Sequence, residues 1–213
     1  MTRRLVIAVD GPAAAGKGTL AKRLAQALDL PYLDTGLLYR ATGRRMIDAG
    51  RDPAQGAAEE FAASVGLEDL SRTDLRVPEV DRAASLVAAQ PAVRRVLVDV
   101  QRRFAGEHGA VLDGRDIGTV IFPDASVKLF ITASPRTRAT RRWEQLATDP
   151  AAPDREEQIT RVEREIAARD RADSERAVAP LRAAGDAVRI ETDGLSADDV
   201  LAEALRIVAR MTR

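Results

Sequence analysis

Short apolar runs recur along the chain, each closed by charge, Gly or a turn. Leu5 to Val9 is followed by Asp10-Gly11, Ala110 to Leu112 by Asp113-Gly114, Val127 to Ile131 by the Ser134-Pro135 turn, and Ala187 to Ile190 by Asp193-Gly194. Tyr32-Leu33, before Asp34-Thr35-Gly36, is a shorter fifth run. Such runs predict strands buried on both faces of a parallel sheet. Between them the apolar spacing changes to three and four. Thr19 to Leu28 (Leu20, Leu24 and Leu28 in step), Leu37 to Ala49, Ala92 to Phe104, Arg136 to Leu146 and Ala197 to Met211 read as helices. Strand alternating with helix predicts a doubly wound α/β fold, whose ligands bind beyond the carboxyl ends of the strands.

Two regions interrupt the alternation. Arg51 to Pro91, rich in Ala and acidic residues, reads as an inserted helical or mixed segment lying over the site. Thr148 to Arg155 (TDPAAPDR) reads as a hinge before a charged amphipathic helix with Ile159, Val162 and Ile166 on one face. At 213 residues the whole is read as one large domain. Hydrophobic residues at 45% and charged residues at 31% leave ample material for a core and exclude wholesale disorder.

Charge narrows the partners. Lys plus Arg total 33 and Asp plus Glu total 33, so there is no surplus positive charge for a nucleic-acid backbone or an anionic membrane, and neither is expected as a partner. Lys occurs only at Lys17, Lys22 and Lys128, so an anion must be held by local clusters of Arg. Cys is absent, which excludes disulfides, thiolate metal sites and cysteine nucleophiles. The apolar run before Asp10 is five residues, too short for a signal-peptide core, and no run approaches the roughly 18 to 20 apolar residues that span a bilayer. The expectation is a cytoplasmic protein.

After the first strand comes Gly11-Pro12-Ala13-Ala14-Ala15-Gly16-Lys17-Gly18-Thr19, a GxxxxGK loop opening onto a helix. Glycines let successive backbone N–H groups converge on a polyphosphate, the helix N-terminus adds positive potential, and Lys17 reaches the outer phosphates. The hydroxyl expected to ligand Mg²⁺ comes one residue late, at Thr19, because Gly18 follows Lys17. Asp113, at another strand end, either caps a turn or holds Mg²⁺. The chain has no Asn, hence no NKxD guanine-reading motif of a GTPase switch.

Transfer between two phosphates brings two anions together and needs no general base, so the protein must supply cations. Arg grips phosphate oxygens two at a time. Arg40 and Arg115 lie at strand ends beside the cradle, Arg138, Arg141 and Arg142 lie on one helix, and Arg169, Asp173 and Arg176 are spaced to share a helix face. Asp116 either neutralises Arg115 or reads a ligand, and Thr35 either caps a helix or binds. His108 and Trp143 read as loop and packing. Three readings remain open on the residues alone: a kinase for a nucleoside monophosphate, a P-loop kinase for another small acceptor such as an alcohol, and a nucleotide-dependent binding protein without turnover.

The chain resembles the bacterial cytidylate kinase family. The segments that carry the resemblance are IAVDGPAAAGKGT at 7 to 19, LDTGLLYR at 33 to 40, AASLVAAQPAVR at 83 to 94, LDGRDIGTVIFPDASVKLFI at 112 to 131, RATRR at 138 to 142 and RDRADSERAVAPL at 169 to 181. It implies a P-loop three-layer core with a five-stranded parallel sheet (about 1–35, 92–135 and 180–213), a monophosphate-binding part with its insert (about 36–91) and a short lid (about 143–165). The implied reaction transfers phosphoryl from ATP, with Mg²⁺, to CMP or dCMP, in a monomer. The resemblance assigns cytosine reading to Ser85, Arg94 and Asp116, the ribose to Thr35, Arg169 and Asp173, and the CMP phosphate to Arg40, Arg115 and Arg176. Arg138 and Arg142, with Arg141 next, are the expected lid cations. Ala14 stands where some members have Gly, and Thr35 where some have Ser.

Overall fold

All five apolar runs become strands of one sheet: β1 (Leu5–Asp10), β2 (Tyr32–Asp34), β3 (Gly109–Gly114), β4 (Val127–Thr132) and β5 (Val188–Glu191). The computed structural model describes residues 4–106, 108–146, 149 and 152–213. The strand order is β2-β3-β1-β4-β5, and every pairing is parallel, with Leu5 opposite Gly109 and Ile7 opposite Val127. Successive side chains of a strand point to opposite faces, so a strand apolar throughout needs cover on both. β1 has it. Val6 and Ala8 pack into one cluster with Leu38, Met46, Leu97 and Leu112, while Ile7 and Val9 pack into another with Leu24, Ile131 and Ile207.

The helices supplying that cover are α1 (Lys17–Leu28) and α9 (Ala197–Met211) on one face, and α2 (Thr35–Asp48) and α6 (Pro91–Ala105) on the other. The result is the three-layer arrangement that the alternation predicts. Pro91 opens α6 at a position where its missing N–H costs nothing, and Ser196 caps α9 through a reciprocal capping box with Asp199.

The insert is helical: α3 (Ala58–Ala63), α4 (Leu67–Leu70) and α5 (Pro78–Ala88). α5 packs against α2 through Val80 and Ala84. Beyond β4, α7 (Pro135–Leu146) and α8 (Arg155–Ser174) form a pair with its own small cluster of Ala139, Trp143, Ile159 and Ile166. Trp143 Nε1 donates to Gln158 Oε1 at 2.8 Å, so the indole both packs and ties the two helices. Of the expected hinge, Thr148, Pro150 and Ala151 lie outside the described residues. One expectation is corrected: α8 stops at Ser174, so Arg176 lies in the turn after the helix instead of on its face. Among the described residues no helix is long and apolar enough to cross a membrane.

Candidate functional site

The cradle sits where β1 runs out. Gly11 has φ of +146°, and a Cβ there would lie 2.0 Å from the Ile131 carbonyl oxygen, so no other residue fits. Gly16 takes φ of +94° at the N-cap of α1. Ala14, which stands where some members have Gly, also adopts a left-handed φ of 58°, a conformation that glycine takes without strain. The first turn of α1 carries no acidic side chain, so the partial positive charge of its N-terminus is left for a ligand. Lys17 is buried and donates from Nζ to the Pro12 carbonyl at 2.8 Å. Burial, reinforced by the Arg115 charge, pushes its ammonium down to about 7, against the pull of Asp113, Asp34 and Asp10.

Those three carboxylates are a product of topology. β2, β3 and β1 are adjacent, and their carboxyl ends set Asp34 opposite Asp113, with Asp10 on the next strand. Burial and the neighbouring Asp34 charge raise Asp113 to about 6, although Tyr32 donates its hydroxyl to Asp113 Oδ2 at 2.7 Å. A carboxyl pair beside an ammonium, Asp113 buried and Asp34 half-buried, suits a divalent cation that arrives with phosphate oxygens as its other ligands. Gly18 is what faces Asp113: a Cβ there would lie 3.3 Å from Oδ2, whereas Thr19 is exposed. Among the described residues no three His, Asp or Glu side chains form a self-sufficient metal cage.

Asp10 holds the next part in place. Its carboxylate accepts the backbone N–H of Ile117 and of Gly118, each at 2.8 Å. These open a π-helical turn, Ile117–Ile121, which is closed by Phe122 N–H donating to Ile117 O at 2.7 Å. The turn carries Asp116 at its start, inside the protein, where Arg94 Nη2 of α6 donates to Asp116 Oδ2. Arg94 also lies over the Tyr39 ring, 5.7 Å from its centroid. Burial raises the Asp116 carboxyl, with Arg94 and Arg176 opposing. Ser85, half-buried on α5, donates to the Asp81 carbonyl at 3.1 Å.

Guanidinium groups crowd the space between cradle and turn. Arg115 Nε and Arg176 Nη2 donate to the two oxygens of Asp173, at 3.0 and 2.5 Å. Arg40 Nε and Arg142 Nη2 donate to the two oxygens of Asp81, each at 2.9 Å, and Arg169 Nη1 is 3.5 Å from Asp81. Five guanidiniums thus share two carboxylates. Burial and the charges of Arg115 and Arg40 press Arg169 down to about 10, and its Nε is buried without a hydrogen-bond partner. An orphaned buried donor amid surplus positive charge is the mark of a site built for an anion. Burial would raise Asp81, yet Arg40, Arg169 and Arg142 outweigh it and hold the carboxyl below its ordinary value.

Arg138 is engaged differently from Arg142. It is buried, and donates to the Ala133 carbonyl at 3.1 Å, to Ala13 O of the cradle at 3.2 Å and to Asp170 Oδ2 at 2.5 Å. Asp170 Oδ1 in turn accepts the Ala13 N–H at 3.4 Å, so α7 and α8 are both tied to the loop. Arg141 donates to Thr192 Oγ1 and O, both at 2.8 Å. Thr35 Oγ1 donates to the Asp113 carbonyl at 2.7 Å, which leaves its lone pairs available.

The family model described as cytidylate kinase matches residues 7–210. A relative from Granulibacter bethesdensis, described as a cytidylate kinase, is 60% identical over 208 residues, covering 97% of this chain and 98% of that one. One from Acidiphilium cryptum with the same description is 56% identical, covering 99% and 98%. The chain belongs to the cytidylate kinase family. It is therefore a kinase that phosphorylates nucleotides. Among solved structures, a gluconokinase from Sinorhizobium meliloti superimposes with a TM-score of 0.53 at 14% identity, covering 100% of this chain and 95% of that one. A Eubacterium ventriosum protein described as uncharacterized gives 0.54 at 13% identity. These likenesses show the fold.

Contacts link Arg40, Arg142 and Arg169 through Asp81, Arg115 and Arg176 through Asp173, and Arg94 with Asp116, whereas Ser85 bonds only within its own helix, Arg141 bonds Thr192 and Thr19 is exposed. Sequence reading missed Asp10, Asp81 and Asp170. Asp10 ends an apolar strand just as Asp113 does, a signal that applies equally to both. Asp81 is four residues before Ser85 and so shares its helix face. Asp170 had no signal of its own, since its partner Ala13 is 157 residues away.

Proposed function

We propose that the protein transfers the γ-phosphoryl group of ATP, with Mg²⁺, to CMP or dCMP, giving ADP and CDP or dCDP. The observation that carries this is the crowd of five guanidiniums on two carboxylates, with Arg169 Nε orphaned, between the Lys17 cradle and the Arg94–Asp116 pair. In this reading the backbone from Gly11 to Thr19 and Lys17 hold the triphosphate, and Asp113 would hold Mg²⁺, which neutralises phosphate charge when bound; Thr19, exposed and not facing Asp113, would reach the ion only from the outer side of the cradle. Arg40, Arg115 and Arg176 clamp the acceptor phosphate. Thr35, Arg169 and Asp173 hold the sugar.

Ser85, Arg94 and Asp116 read the base. Cytosine offers an N4 amino donor that a carboxylate accepts, and N3 and O2 acceptors that Arg satisfies. UMP would set a carbonyl against Asp116. The acceptor oxygen is already ionised near pH 7, so the residues need only orient it in line and spread the developing charge over Lys17 and the guanidiniums. Arg138, tied to Ala13, and Arg142, tied to Asp81, would serve as the lid cations toward the transferring group. An alcohol acceptor would need Asp116 as base, and Asp116 is already engaged by Arg94, which favours a phosphate acceptor. The parts are a core, a monophosphate-binding insert (about 36–91) and a lid (about 143–165), in a cytoplasmic monomer.

The test measures ADP release from ATP and Mg²⁺ with CMP, dCMP, UMP, AMP, shikimate or no acceptor. Turnover with CMP and dCMP far above the rest is expected. Acceptor-independent hydrolysis, or silence with CMP, would refute the reading.

A further inference from the structure

Asp81 belongs to α5, in the insert, while its partners come from three other elements: Arg40 from α2, Arg142 from α7 and Arg169 from α8. A carboxylate is a poor match for such a convergence. Its two oxygens lie in one plane, and both are already taken at 2.8 to 2.9 Å by Arg40 and Arg142. Arg169 is left at 3.5 Å, longer than a good hydrogen bond, with its Nε buried and unpartnered. A tetrahedral dianion with three free oxygens would serve all three guanidiniums. Asp81 therefore fills the place of such a group incompletely.

We propose that Asp81 determines acceptor specificity by standing in for the acceptor's phosphate in the empty site, so that bare phosphate ions are excluded while a nucleotide displaces it. The proposal rests on the reading of Arg40 and Arg169 as acceptor ligands. Inorganic phosphate entering alone gains the guanidiniums but meets the ionised Asp81 carboxylate, a like charge at close range. A nucleotide brings the same phosphate and, in addition, a base for Arg94, Asp116 and Ser85. Ser85 lies one helical turn from Asp81 and bonds its carbonyl, so engagement of the base and release of the carboxylate occur on the same helix face. A screen of this kind is useful in a site whose other tools for binding phosphate, Arg115 and Arg176, do not distinguish a free ion from an esterified one.

The experiment compares wild type with Asp81→Asn, which keeps shape and removes charge, and with Asp81→Glu, which keeps charge. Inorganic phosphate is titrated as a competitor of CMP at saturating ATP, and the phosphate-dependent rise in melting temperature is read separately without turnover. Asp81→Asn should be inhibited at about tenfold lower phosphate and show the larger melting shift, while Asp81→Glu stays near wild type in both readouts. Phosphate inhibition of Asp81→Asn equal to or weaker than wild type would overturn the proposal and make Asp81 a scaffold for the guanidiniums. Asp81→Ser provides a second neutral side chain if Asn disturbs folding. Should wild type fail to use CMP, the reaction assigned above fails. The melting shift still reports on Asp81 independently.

Discussion

At position 116 a carboxylate is buried against the Arg94 guanidinium, and each charge is tolerable because the other is there. Asp116→Asn tests what the carboxylate does beyond that pairing. The amide oxygen still accepts from Arg94, but the outward group changes from acceptor to donor, which suits the O4 of uracil better than the N4 amino group of cytosine. The ratio of kcat/KM for CMP to that for UMP should fall by about 100-fold or more. An unchanged ratio would move base reading to another residue. The contrast with Asp81 is instructive at this scale. Asp116 sits in the distinctive block GRDIGTVIFPDA, whereas Asp81 sits in an Ala-rich insert where one more acid attracts no notice.

The π-helical turn Ile117–Ile121 is held at its start by one distant side chain. Asp10 caps it from the end of β1, and burial raises the Asp10 carboxyl from 3.8 to about 6 despite the two backbone N–H groups that oppose the shift. Between those two values the folded protein binds the proton more tightly than the unfolded chain does. This contribution therefore stabilises the fold at low pH and is lost as pH rises through 6. The difference in unfolding free energy between wild type and Asp10→Asn, from urea titrations, should drop by about 2 kcal/mol between pH 4.5 and pH 7. A flat difference would mean that Asp10 titrates as an exposed acid does. In either form the side chain links the start of the cradle to the turn that carries Asp116, so the donor and acceptor ends of the cleft share a support.

Among the described residues two large apolar clusters lie against the sheet, a third, small one lies between α7 and α8, and a fourth joins Ala41 of α2 to Leu75 and Val80 of the insert. The third is joined to the rest mainly by polar ties, Arg138 to Ala13 and Arg142 to Asp81, with Ala14 of the cradle as its one apolar contact outside α7 and α8 among the described residues. Few buried apolar contacts and many polar ones describe a unit that opens at lower free energy than the sheet. Ile159→Ala, at a fully buried position of that cluster, should strip amide hydrogen-exchange protection from α7 and α8 while leaving β1, β3 and β4 protected. Leu24→Ala, under the sheet, should instead cost about 2–5 kcal/mol and lower protection throughout. Equal loss across the molecule in both variants would show that the α7–α8 pair does not open by itself.

The five strands, the helices flanking them and the Gly11–Thr19 cradle were legible from the sequence because each is encoded locally: an apolar run, a period of 3.6, a glycine where the backbone needs one. The paired strand ends Asp34 and Asp113 were visible as residues, though not as neighbours, since adjacency of β2 with β3 follows from topology alone. Which carboxylate receives which guanidinium was decided only by the folded chain. Arg142 meets Asp81 across 61 positions and Arg115 meets Asp173 across 58, because α5, α7 and α8 converge over the carboxyl edge of the sheet. Local pattern specifies the elements, since it acts over a few residues. The charge pairing that makes the cleft a place for anions is a long-range property, set by packing and by the low dielectric that packing creates.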